Sequence, residues 1–197
     1  ETWTQSRVDE AVTAAAWAIM EPTRNRALAG HAVRKTGLGD VADKIAKNHR
    51  KTLRLLRDLR DAKSVGVIGE DRERGLIEIA RPVGIVAAIT PSTNPAATPA
   101  NNILNALKGG NAIVIAPSPK GHSTLALLLT FVHAELDRVG APRDLVLQLP
   151  APVTRENTFA LMRDADLVVA TGSQTNVRAA YSSGTPAIGV GAGNGWG

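Results

Sequence analysis

The feature that most constrains this chain is a rhythm that begins after Gly66. Short apolar runs recur at Val83–Ile89, Ala112–Ala116, Leu145–Leu149, Leu167–Ala170 and Ala187–Val190. Segments of helical length fall between them, over about 97–107, 121–138, 154–163 and 173–182. The Val83–Ile89 run is continuously apolar, as a strand covered on both faces should be. Leu76–Ala80 alternates only weakly and reads as a partly exposed strand. Strands and helices alternating through short connections predict a Rossmann-like, doubly wound parallel α/β sheet. Ligands of such sheets sit beyond the carboxyl ends of the strands. The loops that matter are then Thr90–Pro95, Ala116–Lys120, Pro150–Pro152, Thr171–Ser173 and Gly189–Asn194.

Residues 1–63 have a different texture. Val8, Val12, Ala15, Ala16 and Ile19 make one apolar helical stripe, which Pro22 ends. A second helix over about 23–35 stops at Thr36-Gly37, and a third runs from about Val41 to Asp61. The expected organisation is an N-terminal helical segment, 1–63, packed on a dinucleotide-binding domain, 64–197.

The net charge is +5. Much of the positive charge lies on the third helix, in Lys44, Lys47, Arg50, Lys51, Arg54, Arg57 and Arg60, against Asp43, Asp58 and Asp61. Phosphates of a nucleic acid could use such a stripe. Base stacking needs interleaved aromatics, however, and the whole chain has one Tyr, two Phe and three Trp, none in this stretch. The stripe therefore reads as a solvated helix face alternating with Ile45, Leu53, Leu56 and Leu59, with no nucleic-acid partner. A polyanionic small ligand, such as a CoA nucleotide, is the other use for these charges.

Cysteine is absent, which excludes disulfides, thiolate metal sites and thiol catalysis within these residues. His31, His49, His122 and His133 lie far apart, so no metal site is expected. No run of about 18 apolar residues exists, so no membrane span is expected. Glu1-Thr2-Trp3-Thr4 lacks the basic and apolar regions of a secretory signal. A cytoplasmic location is expected, with enclosure in a protein-shelled compartment left open.

Three loops could carry chemistry. In Thr90-Pro91-Ser92-Thr93-Asn94-Pro95 two prolines stiffen a turn around Asn94. Its amide could donate to an oxygen gaining negative charge, or simply cap the helix that follows. Ala170-Thr171-Gly172-Ser173 stands where a buried strand meets a helix, a place that suits phosphate, although it is not a GxGxxG. Gly189-Val190-Gly191-Ala192-Gly193-Asn194 has alternating glycines but ends a strand.

Several segments, in order, resemble the aldehyde dehydrogenase superfamily and, within it, the CoA-acylating branch. They are Thr36-Gly37 with Asp43-Lys44 and Lys47-Asn48-His49; Arg81-Pro82-Val83-Gly84-Ile85-Val86; Pro91-Ser92-Thr93-Asn94-Pro95; and Asn111-Ala112-Ile113-Val114 before Ser118-Pro119-Lys120. The likeness continues through Ala170-Thr171-Gly172-Ser173 and Ala179-Ala180-Tyr181-Ser182-Ser183-Gly184 to Pro186–Asn194, and the stretch 179–194 is the most specific part of it.

The resemblance implies a reversible reaction in which an aldehyde, CoA and NAD or NADP give an acyl-CoA and the reduced nucleotide. A cysteine attacks the aldehyde, hydride leaves to the nicotinamide, and the CoA thiol releases the acyl group. It implies Asn94 as the catalytic oxyanion donor. It implies that Thr90, Pro91, Ser92 and Thr93, then Ala116, Ser118, Pro119 and Lys120, then Thr171, Gly172 and Ser173, and Gly189, Val190 and Gly191, line the cofactor. Hydrolytic relatives carry a Glu base near Gly189–Gly191 and a ribose-binding Glu near Lys120. This chain has neither, which favours release to a thiol and leans towards accepting NADP. The nucleophile would lie beyond Asn194, and Gly195-Trp196-Gly197 does not look like the family's continuation. The expectation is the cofactor-binding part of a longer, homo-oligomeric enzyme, inactive by itself; a Cys-less, non-catalytic dinucleotide-binding paralogue is the alternative. The aldehyde is left open among acetaldehyde, propionaldehyde and sulfoacetaldehyde.

Overall fold

The computed structural model describes residues 3–191. Ala192, Gly193 and Asn194 of the terminal glycine run lie outside the described residues. Three helices open the chain: α1 (Gln5–Met20), α2 (Pro22–Thr36) and α3 (Val41–Leu59). Each boundary is set locally. The Thr4 hydroxyl accepts from the Arg7 amide to start α1. Pro22 takes the first position of α2, where a missing N–H costs nothing, and the Glu21 carboxylate accepts from the Thr23 and Arg24 amides. Gly37 closes α2 in the left-handed region at φ 68°. The Asp40 carboxylate starts α3 by accepting from the Ala42 and Asp43 amides.

A hairpin of β1 (Gly66–Asp71) and β2 (Leu76–Ala80) follows, antiparallel and separate from the main sheet. The sequence predicts only its second strand. β1 is largely exposed and broken by an irregular register between Val67 and Gly69, so it carries no buried alternation to read.

The remainder alternates as expected: β3 (Ile85–Thr90), α4 (Ala97–Lys108), β4 (Ala112–Pro117), α5 (His122–Arg138), β5 (Val146–Gln148), α6 (Arg155–Asp164), β6 (Leu167–Thr171), α7 (Gln174–Tyr181) and β7 (Ala187–Val190). The five strands are parallel, in the order β5-β4-β3-β6-β7. The chain thus starts at the centre, winds outward through β4 and β5, and returns to the other side of β3. A crevice opens at that reversal.

β3 begins two residues later than its apolar run. The Asn111 side-chain oxygen accepts from the Val83 and Gly84 amides at 2.7 and 3.1 Å, and the Asp166 carboxylate accepts from the Ile85 amide at 2.7 Å. Side chains satisfy the amides at this end of β3, while the Gly84 carbonyl accepts from the Ala112 amide of β4 at 3.1 Å.

Burial follows the period of two. Val86 and Ala88 join a core with Ile113, Ile115, Leu125 and Leu128, while Ala87 and Ile89 face Met162, Val168 and Ala180 across the sheet. Val8, Val12, Ala15 and Ile19 of α1 lie in the first of these cores. Each of the Val and Ile side chains is worth about 1.5–3 kcal/mol when fully buried and Ala15 less, so α1 is tied to the sheet by its whole apolar stripe.

α3 departs from the solvated-face reading. Lys44 is only 8% exposed, and Asn48 and Thr52 are buried below it, four residues apart along one line of the helix. Ile45, Leu53, Leu56 and Leu59 are only half-buried. Polar partners account for Asn48 in this line, whereas the buried Thr52 hydroxyl has none among the described residues. The Asn48 amide donates to the Asn25 side-chain oxygen at 2.9 Å, and the Asn25 amide donates to the Ile45 carbonyl at 3.0 Å. The exposed basic residues of the stripe are Arg50, Lys51, Arg54, Arg57 and Arg60.

Candidate cofactor-binding site

The carboxyl ends of β3, β4 and β6 converge on a cleft of about 820 Å³, within the size range of small-molecule sites. Thr90, Pro91 and Ser92 come to it from β3, Ala116, Ser118 and Pro119 from β4, and Gly172 and Ser173 from β6. One hydrogen bond joins the first two loops, from the Ser118 amide to the Thr90 carbonyl at 3.0 Å, and the second loop is folded on itself by the Gly121 amide donating to the Ser118 hydroxyl at 3.2 Å. Gly172 sits at φ 137°, where a side chain is strained, and a Cβ there would come within 3.4 Å of the Pro91 Cβ. The backbone conformation, rather than the space beside Pro91, is what calls for glycine here.

The other wall is helical, and it is where the sequence reading stopped short. Thr154, Arg155, Glu156, Thr158, Phe159 and Met162 of the α6 region line it, with Thr175, Asn176 and Ala179 of α7. The rule that ligands gather beyond strand ends already pointed to the loop after β5, but not to the helix face behind it. The Thr154 hydroxyl accepts from the Asn157 amide at 3.1 Å, and the Ser173 hydroxyl from the Asn176 amide at 3.3 Å. These caps satisfy the third amide of α6 and of α7. The first two amides of each, at Arg155 and Glu156 and at Gln174 and Thr175, have no hydrogen bond among the described residues. Two helix starts therefore present donors at a cleft whose inner surface is apolar.

That chemistry fits a dinucleotide. Helix-start amides suit a pyrophosphate, Phe159, Met162 and Ala179 offer an apolar wall to a base, and the glycine at 172 admits the backbone close to a ligand. No group of His, Asp or Glu capable of holding a metal ion is found among the described residues. Among them, too, no helix is long and apolar enough to cross a membrane.

The remaining site candidates fall elsewhere. Lys120 lines an adjoining space of about 460 Å³ with Lys35, His122 and Ser123, separated from the main cleft by Pro119 and Val153. Thr171 pairs with Val190 in the ladder. Gly189 faces α7, where the Tyr181 hydroxyl accepts from its amide at 3.2 Å. Gly191 lies beside Gln174. None of Thr171, Gly189, Val190 and Gly191 lines the cleft. Thr93 is exposed, and its carbonyl accepts from the Lys44 ammonium at 3.1 Å.

Asn94 is at the carboxyl end of β3 but beside a different space, a residual gap of about 10 Å³ shared with Lys44, Lys47 and Asn48. It does not cap α4 through its side chain. The cap position is Ala96, with no side-chain bond, and Asn94 contributes only its carbonyl, accepting from the Thr98 amide at 3.2 Å. Its side-chain amide has no hydrogen bond among the described residues. Burial lowers the pKa of the adjacent Lys44, and the positive charge of Lys47 adds to the effect.

The sequence pattern of the family described as "Aldehyde dehydrogenase family" matches residues 18–188. The chain belongs to the aldehyde dehydrogenase family. Its relatives are the CoA-acylating members of this oxidoreductase family. It is 70% identical to the acylating sulfoacetaldehyde dehydrogenase of Cupriavidus necator over 96% of its own length and 38% of that protein's. The acetylating aldehyde dehydrogenase of Geobacillus thermoglucosidasius superposes with a TM-score of 0.92 at 42% identity, over 98% of this chain and 42% of that one. The propionaldehyde dehydrogenase of Rhodopseudomonas palustris, solved with bound propionyl-CoA, superposes with a TM-score of 0.84 at 32% identity over 98% and 42% of the two chains. The chain thus spans about two-fifths of the length of each of these three relatives. An aldehyde dehydrogenase uses a nicotinamide cofactor, and the cleft at the sheet reversal is the feature of this chain that suits one.

Proposed function

We propose that the protein carrying this chain oxidises a small aldehyde to its acyl-CoA, reversibly, and that this chain holds the nicotinamide dinucleotide. The carrying observation is the cleft with its two helix starts, in a chain 70% identical to an acylating sulfoacetaldehyde dehydrogenase. Overall, aldehyde, CoA thiol and NAD(P)+ give acyl-CoA, NAD(P)H and a proton.

The dinucleotide, when bound, supplies the hydride acceptor. Residues of this chain position it. The Arg155, Glu156 and Thr175 amides would receive the pyrophosphate, Phe159 and Met162 would flank the base, and Thr90–Ser92 and Ala116–Pro119 would form the floor. Asn94 would donate to the oxygen that gains charge when the aldehyde is attacked. The attacking cysteine belongs to the part of the protein outside this chain. No carboxylate stands between Gly189 and Gly191 to activate water, which supports release to a thiol. Lys35 and Lys120 beside the main cleft support tolerance of a 2′-phosphate, and hence of NADP. The name of the Cupriavidus relative makes sulfoacetaldehyde the substrate to test first. The more than half-exposed Ile188 and Val190 on β7 support an assembly that covers this edge.

The test is reduced-nucleotide formation by the full-length protein, with sulfoacetaldehyde, acetaldehyde or propionaldehyde, with and without CoA. Strong CoA dependence is expected. Equal rates without CoA would point to hydrolysis instead, and no turnover of any aldehyde by a protein that still binds NAD(P) would point to a non-catalytic role.

A further inference from the structure

Lys44 has the wrong surroundings for a structural lysine. Its side chain is buried on α3, yet no ion pair includes it among the described residues. The nearby charge is another cation, Lys47. It also stands in the first turns of α3, where the helix dipole opposes positive charge. Burying an unpaired ammonium in this way is costly. A methionine or leucine would fill the same space without that cost.

Its single polar contact shows what the charge could do. The ammonium donates to the Thr93 carbonyl at 3.1 Å. Among the described residues this is the only hydrogen bond that ties Pro91, Ser92 or Thr93 to anything. The carbonyl of Thr93 belongs to the same rigid peptide plane as the amide of Asn94. On its other side Asn94 precedes Pro95, which restricts it to extended conformations. The residue is therefore held from both directions, by a proline after it and by a lysine reaching across from α3 before it. Packing closes the arrangement. The left-handed Gly39 lies against the Lys44 side chain, where a Cβ would be 3.5 Å from Cε, and the gap left among Lys44, Lys47, Asn48 and Asn94 is about 10 Å³. That is room for about one water and not for a ligand.

We propose that Lys44 is a positioning residue, whose ammonium pins the Thr93–Asn94 peptide and so aims the Asn94 amide at the reacting oxygen. This rests on the reading of Asn94 as the oxyanion donor given above. It assigns a role to a charge on α3 that the sequence alone presents as surface.

The test uses the full-length protein and compares wild type, Lys44→Met, Asn94→Ala and the double variant. Lys44→Met keeps the apolar stem and removes the charge. Its thermal stability is expected to be equal or higher, because a buried unpaired charge has gone. Its kcat is expected to fall by about tenfold or more, with nucleotide Kd unchanged within about twofold. The double variant should fall within about threefold of Asn94→Ala alone, since both changes act on one group. In crystals of Lys44→Met the Thr93–Asn94 peptide should be displaced or less ordered than in the wild type, while the sheet is unchanged. Wild-type kcat in Lys44→Met, additive losses in the double variant, or a Thr93–Asn94 peptide in its wild-type place with wild-type order would overturn the role of Lys44. Absence of CoA-dependent activity in the wild type would instead overturn the acylating reading, and the crystal comparison would still decide whether Lys44 fixes the loop.

Discussion

The amide of Gly189 donates to the phenolic oxygen of Tyr181 across 3.2 Å, so the last strand of the sheet is fastened face-on to α7. The contact leaves no room for a side chain at 189. A Cβ there would lie 2.6 Å from Val177 Cγ1 and 3.1 Å from both Cε2 and the hydroxyl of Tyr181. Gly189→Ala should therefore destabilise the fold by about 1–3 kcal/mol, the usual cost of overpacking. Chemical denaturation of the variant against wild type measures it. A change within experimental error would mean that α7 shifts freely, which its place in the cofactor cleft argues against.

The Lys108 ammonium lies 2.6 Å from the Asp9 carboxylate, but the two partners are unequally buried, with side chains 5% and 41% exposed. Gln5 donates to the same Asp9 oxygen at 3.0 Å. Removing Asp9 strands a buried cation, whereas removing Lys108 leaves a carboxylate that water can reach. Asp9→Ala should thus cost more than Lys108→Met, by about 1–3 kcal/mol. Matched denaturation curves of the two variants check the ordering, and the reverse order would show that Asp9 itself is the residue the core depends on.

These two pairs also mark where sequence reading succeeds and where it stops. The parallel strands were legible because each is an apolar run between helical segments, and the structure shifts most of their ends by only a residue or two. The alternation singled out the strand-end loops Thr90–Pro95, Ala116–Lys120, Pro150–Pro152, Thr171–Ser173 and Gly189–Asn194, and of these Thr90–Ser92, Ala116–Pro119 and Gly172–Ser173 line the cleft. What could not be read is contact between elements distant in sequence. Gly189 reads as one of a glycine run, yet its neighbour is a helix. Lys44 reads as one of seven basic residues, yet its partner is a carbonyl 49 positions away. Phe159 lies on a helix whose cleft-facing side is defined by loops from three strands. β1 escaped because an exposed hairpin strand need not alternate.

Asp40 makes the start of α3 sensitive to acid. Its carboxylate accepts from the Asp43 and Ala42 amides, and these bonds, with Asp43 the larger contributor, hold its pKa below the ordinary value. The folded value lies below the unfolded one, so the stabilisation is complete above the unfolded value of about 3.9 and is lost as pH falls through the folded value. Asp40→Ala should lower the melting temperature at neutral pH, and the gap from wild type should shrink as the pH drops below the ordinary carboxylate range. A gap of constant size down to that range would assign the loss to something other than the ionised cap.

Phe159 offers the most direct check on the cleft. The residue is 37% exposed and lies outside both buried clusters, and Arg163 stacks its guanidinium 5.6 Å from the ring centroid. One face of the ring is thus occupied from within the same helix while the residue lines the cleft. Stacking a base against such a ring is worth about 0.5–1.5 kcal/mol beyond the area it buries, so Phe159→Ala should weaken NAD(P) binding by about tenfold. The melting temperature without nucleotide should hardly change, because the side chain is not part of either buried cluster. Titration of the full-length protein with NAD and with NADP separates the two effects. Unaltered Kd values for both nucleotides would mean that the base does not rest on α6, and the wall formed by Thr175, Asn176 and Ala179 of α7 would be the next place to look.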